Sequence, residues 1–202
     1  GIGNPIKAEI VNKPTAMELD KKDGYDDKPM AVGFKVLDKD GKAMKFSKLE
    51  SGEYKYSNEG DEVIHTSDDG KLKAMYLPLG NAPYSFEEVE KPAGYGFAGA
   101  IKAELKDENT YEKPLLVSVK NVPLALEILK VDGKTKKPLD AGFAIMNESG
   151  DKKALRFIKV SDGVYRYDEA GKEKTVKTSG GKLQLLYLPE GNYLIEETNV
   201  PR

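Results

Sequence analysis

Short apolar segments recur along the chain at intervals of about ten residues, separated by Asp-Gly, Ser-Gly, Glu-Gly and Lys-Pro turn signals. This rhythm predicts short β-strands throughout. No stretch holds a 3.6-residue apolar period over a dozen residues, and residues 99–108 are the one segment expected to form a short helix. The expected fold class is all-β, as tandem antiparallel sandwiches of about 100 residues each.

Alternation along each strand shows which side chains share a face. Met17 and Leu19 share parity with Lys21, while Glu18, Asp20 and Lys22 take the other face. Leu126 and Ile128 stand in line with Lys130 in the same way. Tyr84 and Phe86 align with Glu88, and Tyr193 and Ile195 with Glu197. Leu115, Val117 and Val119 align with Asn121, and Ala8 and Ile10 with Asn12.

These matched sites reflect an internal duplication. Asn12-Lys13-Pro14 returns as Asn121-Val122-Pro123, 109 positions later, and the same offset carries Lys21 to Lys130 and Gly33-Phe34 to Gly142-Phe143. Gly52-Glu53-Tyr54-Lys55-Tyr56 meets Gly163-Val164-Tyr165-Arg166-Tyr167, and Tyr76-Leu77-Pro78 meets Tyr187-Leu188-Pro189. A period this long denotes duplicated domains, not solenoid turns. The expected organisation is a terminal strand in residues 1–14 resembling the end of a preceding repeat, a complete domain over 15–122, and a second domain over 123–202 lacking its last strand. Both ends read as cuts in a longer protein.

Composition narrows the function classes. The 202 residues carry 32 basic and 34 acidic side chains, for a net charge of -2. A nucleic-acid binder ordinarily has a basic excess, so none is expected as partner. With no cysteine and the single histidine His65, disulfide scaffolds, thiolate sites and multi-histidine metal centres fall away, and no cofactor or metal is expected. No apolar run approaches the roughly 18 residues of a membrane helix, so no membrane insertion is expected in this fragment.

One lysine at a strand end ordinarily snorkels to water. A Lys, a Glu and an Asn on apolar faces at matching places in two copies call for a different account. An ammonium or carboxylate buried alone is costly, and burial lowers the pKa of one and raises that of the other. A neutral amine so held would attack an Asn carboxamide, with a protonated Glu moving the proton. The product is a Lys–Asn isopeptide bond plus ammonia, made once, so the protein is not expected to be an enzyme.

The run Leu126-Glu127-Ile128-Leu129-Lys130-Val131-Asp132, followed by Lys137-Pro138-Leu139 and Gly142-Phe143, resembles the opening of a collagen-adhesin B-type (Cna B-type) domain. Leu188-Pro189-Glu190-Gly191-Asn192-Tyr193, with Glu196-Glu197-Thr198 and Pro201, resembles that family's closing signature. The first copy has Glu88-Val89 in place of Glu-Thr but keeps Pro92-Ala93-Gly94-Tyr95. The resemblance covers essentially the whole chain. It implies inverse-immunoglobulin-like sandwiches in cell-wall-anchored surface adhesins and pilins of Gram-positive bacteria. It also implies Lys21 as nucleophile, Glu88 as proton shuttle and Asn121 as electrophile in the first domain. Lys130 and Glu197 match in the second domain without an Asn, and Asn12 matches the electrophile without its own lysine.

The expected function is thus a covalently locked stalk of a surface adhesin, with a sortase-polymerised pilus subunit as the alternative within the class. Neither an LPxTG-type sorting signal nor a Tyr-Pro-Lys pilin motif occurs. A module binding a host extracellular protein or a glycan is the rival from another class. Expected partners are neighbouring repeats and, through head-to-tail strand donation, other copies of the chain, with Asn12 of one meeting Lys130 and Glu197 of the next. Several motifs are decoys. Residues 94–99 match G-x-G-x-x-G without a βαβ unit, Asp38-Lys39-Asp40-Gly41 lacks the acidic residue that completes a calcium loop, and Glu87 and Glu88 take opposite faces. His65 is expected on the surface without partners, and Lys134 to Lys137 in a solvated hairpin.

Overall fold

A computed structural model describes residues 3–199; Pro201 of the closing motif lies outside the described residues. Contacts divide the chain into two compact units. The first takes residues up to 23, 27–90 and 98–120; the second takes 24–26, 91–97 and 121 onward. Residues 3–14 form no strand, and 3–13 are exposed.

Nine strands build the first unit: β1 (Ala16–Asp23), β2 (Gly33–Leu37), β3 (Phe46–Lys48), β4 (Tyr54–Tyr56), β5 (Ile64–His65), β6 (Lys71–Met75), β7 (Tyr84–Glu88), β8 (Ala100–Ala103) and β9 (Leu115–Asn121). They form two sheets, ordered β3-β4-β6-β1-β9 and β5-β2-β7-β8. Between the sheets lies a core containing Met17, Leu19, Phe34, Val36, Phe46, Ile64, Leu72, Tyr84, Phe86 and Val119. The burial of β1 alternates as its sequence parity requires, with Met17, Leu19, Lys21 and Asp23 all buried.

The second unit repeats the plan with β10 (Ala125–Leu129), β11 (Gly142–Asn147), β12 (Phe157–Ser161), β13 (Val164–Tyr167), β14 (Val176–Lys177), β15 (Lys182–Leu186) and β16 (Tyr193–Asn199). Its sheets run β10-β15-β13-β12 and β14-β11-β16. Strands β10 to β16 thus correspond to β1 to β7. Phe143, Ile145, Phe157, Tyr165, Val176, Leu183 and Leu185 form its core.

The duplicated residues do duplicated work. Tyr54 Oη accepts the backbone N–H of His65, and Tyr165 Oη accepts that of Lys177, each at 3.2 Å. Tyr84 donates its hydroxyl to the Pro78 carbonyl, and Tyr193 does the same to Pro189. Buried Thr66 and Thr178 accept the N–H of Val32 and Ala141 at 2.8 and 2.9 Å. Each hydroxyl satisfies a backbone group where the chain passes from one sheet to the other.

The all-β sandwich class is confirmed, with corrections in detail. Neither unit is wholly antiparallel: β4 runs parallel to β6, and β13 to β15. Between β4 and β6 the chain crosses to the other sheet to make β5 beside β2, and it returns in its original direction. The helix expected over residues 99–108 is absent; Ala100–Ala103 is β8, paired antiparallel with β7 from Glu87↔Ala100 to Tyr84↔Ala103. Ala103 and Leu105 are buried with strand spacing, so the edge of β7 decided a segment whose local pattern was ambiguous. His65 is exposed, but not alone: its Nε2 lies 3.1 Å from Glu90 Oε2. No helix among the described residues is long and apolar enough to cross a membrane.

Candidate functional site

Lys21 sits two residues before the end of β1, and its side chain is fully buried at 0% relative exposure. Its backbone is fixed on both sides. Lys21 N–H donates to the Gly70 carbonyl at 2.7 Å, and the Lys21 carbonyl accepts from Met30 N–H at 3.1 Å. Gly70 makes this approach possible: it has φ +78, and a Cβ there would stand 2.4 Å from the Lys21 carbonyl oxygen. The side chain is thereby aimed into the sandwich beside Leu19 and Met17.

Glu88 closes β7 in the facing sheet, opposite Phe34, and is buried at 4%. Asn121, buried at 1%, closes β9, the strand next to β1 in its sheet. Lys21 and Asn121 thus lie near the ends of neighbouring strands, where Gly24 N–H donates to the Asn121 carbonyl at 2.8 Å, and Glu88 closes a strand of the facing sheet. Burial pushes the Lys21 amine down to about 8, against the opposing pull of the Glu88 and Asp23 charges. Lys21 Nζ is sealed from solvent and has no hydrogen-bond partner among the described residues. A buried amine without hydrogen-bond compensation is poised to lose its proton, and the free base is a nucleophile.

Asp23 is the residue that strand parity alone did not single out. It is buried at 2%, shares the face of Lys21 two positions on, and contributes negative charge at the amine. The signal was present in the sequence as the same alternation that marks Lys21, carried one step further.

The second unit holds two of the three groups in a different state. Lys130 follows β10, and its N–H donates to Gly181 O at 2.7 Å while its carbonyl accepts from Leu139 N–H at 3.0 Å, the same frame as at Lys21. Lys130 Nζ lies 3.4 Å from Glu197 Oε2, with side-chain exposures of 29% and 26%. Glu197 Oε1 is shielded from solvent without a hydrogen-bond partner among the described residues. Asn12, placed by its sequence match as an electrophile, is exposed in residues 3–14.

Among the other motifs, Asp38 Oδ1 accepts the N–H groups of Asp40 and Lys42, each at 2.9 Å, so this acidic run caps a turn. Residues 94–99 form an irregular connection. The described residues contain no group of three or more His, Cys, Asp or Glu able to hold a metal ion.

A family model described as the SpaA prealbumin-like fold domain matches residues 15–115 and again residues 125–202. Among solved structures, the Streptococcal ancillary pilin is similar at 26% identity, over 96% of this chain and 56% of that one, with a TM-score of 0.47. The shaft pilin SpaA from Lactobacillus rhamnosus GG is similar at 22% identity over 93% of this chain and 88% of that one, with a TM-score of 0.38. The Bacillus anthracis TIE protein is similar at 24% identity over 94% of this chain and 29% of that one, with a TM-score of 0.42. The chain thus spans just over half the length of the ancillary pilin it matches. A comparison with curated proteins finds no match. The two family matches fall on the two halves of the duplication and agree with the Cna B-type resemblance: the chain belongs to the SpaA prealbumin-like fold domain family.

Proposed function

We propose that this chain is a load-bearing module of a Gram-positive surface stalk or pilus, whose first domain locks itself with a Lys21–Asn121 isopeptide bond. The carrying observation is the fully buried Lys21, with buried Glu88 on the facing sheet and buried Asn121 closing the adjacent strand. Family membership supports the surface role, and the domain limits of 15–122 and 123–202 belong to the same reading.

The chemistry needs nothing beyond these side chains. Proton transfer within the pair, from the Lys21 ammonium to Glu88, is favoured by burial of the amine and gives the free base that attacks Asn121 Cγ. Glu88, as the carboxylic acid, donates a hydrogen bond to the amide oxygen and moves the proton from the amine to the departing Nδ2. The Nζ–Cγ bond forms, the Cγ–Nδ2 bond breaks and ammonia leaves. The fold supplies proximity, holding amine and amide at the ends of adjacent strands. Glu88 emerges unchanged, but the lysine and asparagine are consumed, so the protein turns over once.

The bond would join residues near the two sequence ends of the domain, closing a loop of about 100 residues. For a cross-link of that span, chain entropy gives on the order of 4.7 kcal/mol. Tension applied at the domain ends would pass through the amide and leave the strands between them unloaded, as a stalk requires.

The intact mass of the purified chain tests this directly. A mass lower than the sequence by one ammonia, restored in Lys21→Ala, is the expected result. A full unmodified mass after prolonged folding overturns the bond.

A further inference from the structure

Two segments that the duplication assigns to the first repeat, 24–26 and 91–97, fold with the second unit. They meet one surface of it. Arg166 on β13 stands opposite Leu186 of β15, and Tyr187 follows at the end of that strand. The Arg166 guanidinium lies 4.2 Å from the centre of the Tyr187 ring, a cation–π distance. Tyr25 and Tyr95 each meet Tyr187 edge to face, with ring centres 6.4 and 5.4 Å away at interplanar angles of 84° and 82°. Arg166 Nη1 also lies 3.5 Å from Asp26 Oδ2. A planar guanidinium suits this double task, because its face stacks on a ring while its edge pairs with a carboxylate.

Backbone hydrogen bonds bring these rings together. Gly24 N–H donates to the Asn121 carbonyl at 2.8 Å and anchors the turn that carries Tyr25 and Asp26. Leu124 N–H donates to Gly94 O and Gly96 N–H to Val122 O, each at 2.8 Å, which fixes Tyr95 between them. Tyr187 N–H donates to the Leu124 carbonyl at 2.9 Å, so residues 122–124 are bonded both to 94–96 and to Tyr187. Gly94 permits the close approach: it has φ +86, and a Cβ there would stand 2.4 Å from the Tyr187 carbonyl oxygen. The first unit supplies an internal control. Tyr76, the counterpart of Tyr187, has the same backbone, with φ +68 against +69, and Lys55 Nζ lies 4.9 Å from its ring centre. Tyr76 is 46% exposed and Tyr187 7%, and the rings of Tyr25 and Tyr95 are what the second site has in addition among the described residues. Lys134 and Thr135 hold the places of Tyr25 and Asp26 in the second repeat, so the pairing belongs to these residues and not to the fold in general.

We infer that Arg166 and Tyr187 form a receptor surface of the second repeat, whose partner is the Tyr25–Asp26 turn and the Tyr95 connection of the first repeat's own sequence. The second unit depends on this clasp for its stability. Residues 123–202 are then not self-sufficient: β13 and β15, which carry the receptor, are held by residues far upstream in the chain. Folding of the second repeat is thereby conditional on the first. The clasp is made of rings, one guanidinium and one carboxylate, and it stands whether or not Lys21 and Asn121 are bonded.

The test is amide hydrogen exchange of the whole chain, read by mass on peptides covering β13 and β15, with β2 and β7 as reference. The double variant Tyr25→Ala, Tyr95→Ala should speed exchange in β13 and β15 at least about tenfold and leave β2 and β7 within about twofold. Tyr25→Phe with Tyr95→Phe keeps the rings and should stay within about threefold of the unaltered chain. Arg166→Gln should speed β13 and β15 by a smaller factor than the alanine pair. Unchanged exchange of β13 and β15 in the alanine variant overturns the clasp, as does an acceleration shared equally by β2 and β7. A phenylalanine variant as fast as the alanine one overturns the ring contacts as its basis. If the alanine pair yields no folded chain, Arg166→Gln decides alone, and unchanged exchange in β13 and β15 overturns the proposal. The intact mass of each variant reports the Lys21 bond separately, so the two readings fail independently.

Discussion

Lys130 Nζ lies 3.4 Å from Glu197 Oε2 and the pair is still reached by water, whereas Lys21, in the same backbone frame, is sealed. Both lysines donate one backbone hydrogen bond and accept another, in equivalent positions and at nearly the same lengths. Among the described residues β1 lies between β6 and β9, whereas β10 has β15 on one side alone. Water screens the Lys130–Glu197 pair, so its net worth is small. Glu197→Gln should change the unfolding free energy of the second unit by less than about 1 kcal/mol, measured by denaturant titration.

The Lys21 site should respond far more strongly. Asn121→Ala removes the electrophile and, on the proposed reading, the cross-link. Thermal and denaturant unfolding of this variant should show a loss of several kcal/mol, on the order of the 4.7 expected for a closed loop of about 100 residues. Glu88→Gln should fold but retain the full unmodified mass for hours. A Glu88→Gln chain that loses ammonia as fast as the unaltered one would remove Glu88 from the mechanism.

In Asn121→Ala the buried amine persists, and stability should depend on pH with a definite sign. The amine titrates at about 8 when folded and near 10.5 when unfolded, so between those values the unfolded chain binds the extra proton. Raising pH through this window therefore stabilises the fold, by ~3 kcal/mol in total. Tyr84, pushed up to about 12 by burial, acts oppositely above pH 10, where its unfolded form ionises. Denaturant midpoints of Asn121→Ala should therefore climb from pH 8 to 10, and those of the bonded chain should lack this climb. Because the free amine with a carboxylic acid carries as many protons as the ammonium–carboxylate pair, bond formation during refolding of the unaltered chain should slow as pH rises above about 8.

Gly70→Ala should disturb the site without touching any of its side chains. The added Cβ would meet the Lys21 carbonyl at 2.4 Å, at a φ that L-residues rarely adopt. The cost should exceed about 1 kcal/mol, and displacement of β1 should slow the loss of ammonia measured by mass. Gly41→Ala, at φ +82 with open space around it, shares the backbone penalty but leaves the rate of ammonia loss unchanged.

The sequence alone determined the strand class, the duplication and the inward parity of Lys21, Glu88 and Asn121, because side-chain alternation is a local property of extended chain. It also marked the matching pair Lys130 and Glu197. It could not determine the parallel pairing of β4 with β6, since that depends on β5 leaving for the other sheet. Nor did it determine the state of residues 99–108, because a short apolar stretch is compatible with either element until the edge of β7 claims it. His65 found Glu90 through a contact 25 positions away, which no local pattern encodes. Burial likewise belonged to the tertiary structure. Lys21 and Lys130 have equivalent places in the sequence and equivalent backbone hydrogen bonds, yet Lys21 is fully buried and Lys130 is not, because burial is set by what packs around a residue and not by its place in a strand.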